Sequence, residues 1–265
     1  MTYLLLTLWG KISRKPFLKQ FCWVCFIAMF IGFAIELVQL GPDNRTPDLA
    51  DIIRNFVGCL FAFAFLAPSR STLPKRNLRL LQGITILALL IEFFPLTKAL
   101  IDEEIAREQF PVLADFETPF ESDRWTGGAK ISIDHETARH GKSSLLIRLT
   151  TAQYSGVALK YFPGDWRGYS LLQFSVFNPS SAPLSVVCRA HDSLHFKNGG
   201  EYNDRFNKSF VIDPGWNDIE IPLENIANAP KNRQIEMSEI QGLGIFTVRL
   251  PKPKTIKIDY LRLNK

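Results

Sequence analysis

The hydrophobic pattern of the chain changes once. Up to about Leu100 long apolar runs are broken by short basic clusters; from Val112 onward polar and apolar residues alternate, with frequent Gly, Pro and Asn. The two halves suit different solvents. Phe21–Leu40 holds one charge, Glu36, and matches the roughly twenty residues a helix needs to cross a hydrocarbon core, which predicts a spanning helix over about 20–40. Ile52–Ala67 is shorter. Thr46 as N-cap, Pro47 in the first helical position and Asp48 at the positive end of the helix dipole extend it to a helix over 47–67. Leu80–Ile101, interrupted by Glu92 and Pro95, predicts a third spanning helix over 80–101. The opening "MTYLLLTLWGK" is too short to span and fits either an interfacial segment or the remainder of a lost helix.

In the second half, nine short runs alternate with turn residues: "AKISID", "SSLLIRL", "GVALKYF", "LLQFSVF", "LSVVCRA", "SFVID", "NDIEIPL", "LGIFTV" and "TIKIDYLRL". Asn178-Pro179, Gly199-Gly200 and Pro214-Gly215 separate several of them, and no long helical period intervenes. This is the pattern of an all-β sandwich. The predicted organisation is therefore multidomain: an α-helical transmembrane bundle over 1–104, a linker over 105–111 and a β-sandwich over 112–265, long enough for its own core.

The net charge is +5, with a pI near 9.0. Much of the excess in the first half sits in two clusters that flank apolar runs, Lys11, Arg14, Lys15 and Lys19, then Arg70, Lys75, Arg76 and Arg79. Topology explains them better than nucleic acid does, because short cytoplasmic loops are enriched in Lys and Arg. The N-terminus and the 68–79 loop are then inside, and the turn at 41–46 and everything after Leu100 are outside, which places the sandwich on the extracytoplasmic side of a cytoplasmic membrane. A cleavable signal peptide is the competing reading, but no small-residue cleavage site follows the first run. The sandwich has one cysteine, Cys188, and so no internal disulfide, while Cys22, Cys25 and Cys59 lie in apolar helices and read as packing residues.

Between the first two runs, Glu36 and Gln39 share a helix face, and Asp48, Asp51, Asn55 and Gly58 follow at steps of three and four, with Arg45 in the turn. The spacing Glu36-x2-Gln39-x5-Arg45-x2-Asp48-x2-Asp51-x3-Asn55-x2-Gly58 resembles the core motif of the VanZ-like membrane protein family. The resemblance covers about Phe21–Ala67 and implies a small bacterial membrane protein; the family's founding member is associated with resistance to teicoplanin. The purely structural reading is that these charges pair to fix a hairpin. Gly58 is expected to let the helices approach closely, and Glu92 to pair with Arg54 or Arg45 or to stay protonated.

"ADFETPFESDRW", "HETARHGKSSLLIRL", "WRGYSLLQFSVFN" and "IKIDYLRL" resemble the galactose-binding-like jelly roll used by many carbohydrate-binding modules, and the related domain of mitochondrial complex I assembly factors. The resemblance implies a structural calcium held by Glu117, the backbone of Lys142 and Asp259, oxygen donors from distant segments of the kind calcium accepts. The alternative is that Glu117 and Asp259 cap strand ends or pair with lysines.

The densest polar stretch, "RAHDSLHFKNGGEYNDRFNKSF", carries His191, Asp192, His195, Tyr202, Asp204 and Arg205; Arg189 and Arg249 lie on neighbouring predicted strands. Sugar recognition uses aromatic faces together with fixed carboxylates, amides and arginines, and this segment offers both. In an extended strand His191 and His195 would stand about 13 Å apart, so sharing a metal would need the intervening loop to fold back. An Asp192–Arg205 buried pair fixing the loop is the bland alternative. The functions left open are a non-enzymatic envelope protein that binds a glycan or a glycan-bearing partner, an envelope carbohydrate enzyme using Asp192, His195 and Asp204, and a protein-binding scaffold.

Overall fold

The computed structural model describes Ile12, residues 14–39 and residues 49–265. The chain divides into two compact units, Met1–Thr97 and Lys98–Lys265. Helix α1 covers Phe17–Gln39 and α2 covers Leu49–Phe61, continuing as a π-helical turn over Ala62–Leu66. A 3-10 turn, Pro68–Thr72, leads into α3, Lys75–Gln109. Helices α1 and α3 are long and apolar enough to cross a membrane. The second expected span is instead a thirteen-residue α-helix that widens at Ala62 and does not meet that length among the described residues. Thr46, Pro47, Arg45, Asp48, the side chain of Gln39 and residues 1–11 lie outside the described residues.

Val24, Cys25 and Ala28 of α1 are buried with Cys59, Phe63 and Ala67, and Phe17 and Phe21 set ring edges on Phe63 at 5.4 and 5.2 Å. Cys25 and Cys59 are packing residues here, as expected. Gly58 does not make the close contact predicted for it, because a Cβ there would meet nothing within 4 Å. Gly32 does: a Cβ on it would lie 2.3 Å from the Asn55 amide nitrogen, so the motif asparagine occupies space that only glycine leaves. Arg54 pairs with Asp51 and stands 3.6 Å from Glu92, one of the two partners expected for it; the other, Arg45, lies outside the described residues.

In the second unit α3 continues through residues 105–109, where a linker was expected. Ala106 is buried, and the buried Arg124 forks the Asp102 carboxylate through Nε at 2.9 Å and Nη2 at 2.7 Å. A bidentate pair of this kind holds the helix end in place. Eleven antiparallel strands follow: β1 Val112–Ala114, β2 Trp125–Thr126, β3 Lys130–Asp134, β4 Ser144–Leu149, β5 Tyr154–Leu159, β6 Leu171–Asn178, β7 Leu184–Asp192, β8 Phe206–Ile212, β9 Gly215–Pro222, β10 Ile240–Val248 and β11 Lys254–Asn264. Short helices α4, Leu194–Lys197, and α5, Leu223–Ala227, interrupt them. One sheet runs β3-β4-β11-β6-β9 with β1 also on β11; the other runs β2-β5-β10-β7-β8. The nine predicted runs fall on β3 to β11. Strands β1 and β2, three and two residues long, are too short to show alternation.

The sandwich core is built by alternation. Leu184, Val186, Cys188 and Ala190 of β7 point inward, against Leu243 and Ile245 of β10 and Ile256, Ile258 and Leu261 of β11. Burial pushes the Cys188 thiol up to about 12, which makes it a packing group and not a nucleophile. The longest strand, β11, carries a bulge between Asp259 and Arg262, with Tyr260 at φ +52°. The bulge turns Asp259 into the interior, where it has no exposed surface.

Candidate binding face

The polar stretch predicted as one site divides into two clusters. The first is closed on itself. Asp192, at the end of β7, is fully buried, and Arg233 reaches it from the loop after α5, with Nη2 2.8 Å from Oδ1. The same guanidinium holds Asp204, Nε to Oδ1 at 2.5 Å and Nη2 to Oδ2 at 2.9 Å. The peptide N–H groups of Glu236 and His195 also donate to Asp192, at 2.8 and 3.2 Å. Burial pushes the Asp192 carboxyl up, but Arg233 and the two N–H groups outweigh it and hold it below the usual carboxylate range. Hydrogen bonding to Arg233 does the same for Asp204.

The partner of Asp192 is therefore Arg233 and not Arg205. Nothing in the loop sequence "KNRQ" marks Arg233 for this role. His195, 1% exposed, sets Nδ1 3.1 Å from the Asp204 carbonyl oxygen, and α4 folds the chain back so that the His191 and His195 rings are 4.9 Å apart instead of about 13 Å. Among the described residues no group of three or more His, Cys, Asp and Glu gathers as a metal site. Asp192 and Asp204 share one guanidinium and do not oppose each other across a cleft, the arrangement glycoside hydrolysis uses. Asp192, His195 and Asp204 thus form a structural lock.

The second cluster is open at Arg189, Arg205 and Asn207, which are half-buried, while its His191 is 4% exposed under His195 and Phe196. On β7 the residues opposite the core are Ser185, Val187, Arg189 and His191. Register places Gly244 of β10 and Asn207 of β8 on either side of Arg189, and Gly242 beside His191. The glycines leave a hollow that these side chains fill. A Cβ on Gly242 would lie 2.4 Å from the His191 ring, and one on Gly244 would lie 3.4 Å from the Arg189 Nε. Arg189 lies flat over β10. Arg205 precedes Phe206, the partner of Ala190, so continuing the register sets it across from His191 and diagonal to Arg189, with its guanidinium carbon 5.5 Å from the centre of the Tyr202 ring.

Three polar atoms of this face, Arg189 Nε, Arg205 Nε and Asn207 Oδ1, are buried with no hydrogen-bond partner among the described residues. Burial, and next the charge of Arg205, pull Arg189 below the usual arginine range. Tyr202, 64% exposed, offers its ring beside Arg205 at one side; Tyr154 and Phe246, ring centres 6.0 Å apart, flank the row below. Of the predicted ligand residues, the structure brings His191, Tyr202 and Arg205 to this face, together with Arg189. Arg249 lies elsewhere: it follows the far end of β10, more than about 20 Å along the strand from Gly242. Its peptide N–H donates to Gln153. The hollow could not be foreseen, since Gly156, Gly242 and Gly244 gain meaning only once register puts them in neighbouring strands.

The residues expected to hold calcium converge on one turn. Glu117 Oε1 accepts the N–H groups of Lys142 and Ser143, both at 2.7 Å; Asp259 Oδ2 accepts those of Arg139 and His140, at 2.6 and 2.9 Å. Lys142 meets Glu117 through its N–H and not its carbonyl. Asp259 Oδ1 is buried with no partner among the described residues, and burial pushes this carboxyl above its ordinary range. A cation would supply the missing interaction, with Glu117 facing the same turn.

No protein-family model and no curated protein matches the chain. Solved structures similar to it include the family 11 carbohydrate-binding module from Clostridium thermocellum in complex with a β-1,3-1,4-mixed-linked tetrasaccharide, at 16% identity and TM-score 0.45, covering 58% of this chain and 94% of that one. An exo-β-agarase is similar at 18% identity and TM-score 0.46, over 58% of this chain and 24% of that one. The family 30 carbohydrate-binding module of a cellulosomal cellulase of Clostridium thermocellum is similar at 14% identity and TM-score 0.42, over 54% and 91%.

Proposed function

We propose that the protein is a non-enzymatic, membrane-anchored glycan-binding protein of a bacterial envelope. Its galactose-binding-like sandwich would hold the glycan on the outer face of the β2-β5-β10-β7-β8 sheet. One observation carries this reading: buried polar atoms of Arg189, Arg205 and Asn207 have no partner beside the exposed ring of Tyr202. Buried polar groups normally find partners, so a face that leaves three without one suits a ligand rich in hydroxyls. Tyr202 would take the C–H surface of the sugar. Closure of the Asp192, His195 and Asp204 lock supports binding over turnover.

The anchor is supported by α3, whose Leu80, Ile84, Leu87, Leu90, Ile91 and Phe94 are exposed along one broad side, opposite the covered face that holds the buried Thr85. A helix that turns so wide an apolar side away from the protein belongs in lipid. The VanZ-like hairpin would serve as part of that anchor, and the basic clusters orient it with the sandwich on the extracytoplasmic side. The orphaned Asp259 Oδ1 supports a structural calcium beside Glu117, testable as a calcium-dependent rise in melting temperature that Asp259→Asn removes.

A glycan array probed with the full-length protein tests the binding reading. Capture of a defined subset of glycans, lost in Tyr202→Ala, is the expected result; no capture by the wild-type protein would sink it. A reporter fused after Lys265 should be active outside the cytoplasm, and activity only inside would reverse the topology.

A further inference from the structure

We infer that the glycan carries a negative charge, and that the Arg189–Arg205 pair reads it. This rests on the glycan-binding reading above and adds to it the class of ligand. The two arginines occupy diagonal positions on neighbouring strands of one sheet face, within reach of long side chains, and the charge acting on Arg189 is the other cation. Elsewhere in the same domain the half-buried Arg262 lies over the Tyr260 ring, 3.8 Å from its centre, while Arg124 meets the carboxylate of Asp102 and Arg233 meets those of Asp192 and Asp204. Among the described residues neither Arg189 nor Arg205 forms such a pair, and the Nε of each is buried without a partner.

Like charges held together away from water repel, and desolvation adds to that cost. An anion seated between them removes both penalties at once. A carboxylate or a sulfate or phosphate ester also matches the planar N–H edge of a guanidinium, which presents two parallel donors. The hollow over Gly242 and Gly244 leaves the guanidinium of Arg189 lying along the sheet, so its edge is offered sideways to a ligand stacked on Tyr202. Asn207 Oδ1, across from Arg189, would accept from a neighbouring sugar hydroxyl. His191 adds no fixed charge, since burial and then the positive charges of Arg189 and Arg205 pull it below the ordinary histidine range.

The test uses the full-length protein and polymers matched in backbone and different in charge: polygalacturonate against its methyl ester, and dextran sulfate against dextran. The acidic member of at least one pair should bind about tenfold or more tightly than its neutral partner, with affinity falling as salt is raised. The polygalacturonate and dextran sulfate arms separate carboxylate from sulfate recognition. Arg205→Met should remove the preference for charge and leave the melting temperature within a few degrees of wild type. Asn207→Asp, which places the protein's own carboxylate beside Arg189, should raise the melting temperature and abolish acidic-polymer binding. Equal affinity for the acidic and neutral members would overturn the inference while leaving glycan binding intact; failure of the wild-type protein to bind any polymer or any arrayed glycan would overturn both. A fall in melting temperature for Asn207→Asp would also contradict it, because it would mean that the arginines are not short of a counter-charge.

Discussion

At the lock, one guanidinium meets two carboxylates, and two peptide N–H groups complete the deeper of them. On the sheet face nearby, Arg189 and Arg205 stand diagonally on neighbouring strands, Arg205 beside a tyrosine ring, and the Nε of each has no partner among the described residues. Both places are built around arginine, and only the lock supplies carboxylates to it. What separates structure from function is whether each polar group is satisfied within the chain: a satisfied buried network fixes one conformation, and an unsatisfied one is completed from outside.

The largest expected effect breaks the lock. Arg233→Met leaves Asp192 buried and without its cation, and should cost about 3 to 5 kcal/mol in urea unfolding. If the cost were within experimental error, Asp192 would be solvated and the contrast with the open cluster would collapse. Next comes the hollow. A Cβ on Gly156 would lie 2.2 Å from the Ile245 carbonyl oxygen and 2.4 Å from the Phe246 Cα, both backbone, so Gly156→Ala should destabilise by about 1 to 3 kcal/mol. Gly244→Ala, whose Cβ would meet the Arg189 side chain at 3.4 Å and the Val157 carbonyl oxygen at an ordinary 3.7 Å, should leave stability nearly unchanged and shift binding instead. Equal losses of stability in the two variants would mean that Gly244 serves packing and not the face.

The lock also predicts an acid limb. Asp192 and Asp204 are held below their ordinary values, so their stabilisation is full above the usual carboxylate range near pH 4 and is lost as pH falls through the lowered values. Wild-type stability should fall in that window, and the fall should be shallower in Arg233→Met. Identical slopes in the two proteins would place the acid sensitivity elsewhere, for example at Asp134 or Asp218, which Lys257 and Arg139 hold down in the same way. The smallest effect belongs to Arg249→Ala: exposed and at the other end of β10, it should alter neither glycan binding nor stability by more than about 0.5 kcal/mol.

Alternation in the sequence was enough to place β3 to β11, because every second residue of a sandwich strand must face the core. It also collected His191, Tyr202 and Arg205 near one place. It could not divide that place into lock and face. Arg233 lies 41 residues from Asp192, in a loop with no periodicity, and their pairing exists only through the tertiary fold. Gly156 and Gly244 raise the same difficulty, since strand register alone sets them beside Phe246 and Arg189. In the first unit the motif Asn55 was visible, while its counterpart Gly32 was hidden in an apolar run where a glycine draws no notice.

The contrast between a satisfied and an unsatisfied cluster is tested most directly by measuring, on one preparation of full-length Arg205→Met, both its urea midpoint and its affinity for whichever polymer or arrayed glycan the wild type prefers. The account predicts an unchanged midpoint and an affinity weakened about tenfold or more. A lowered midpoint with wild-type affinity would show Arg205 to be part of the scaffold and would contradict the assignment of this face to a ligand.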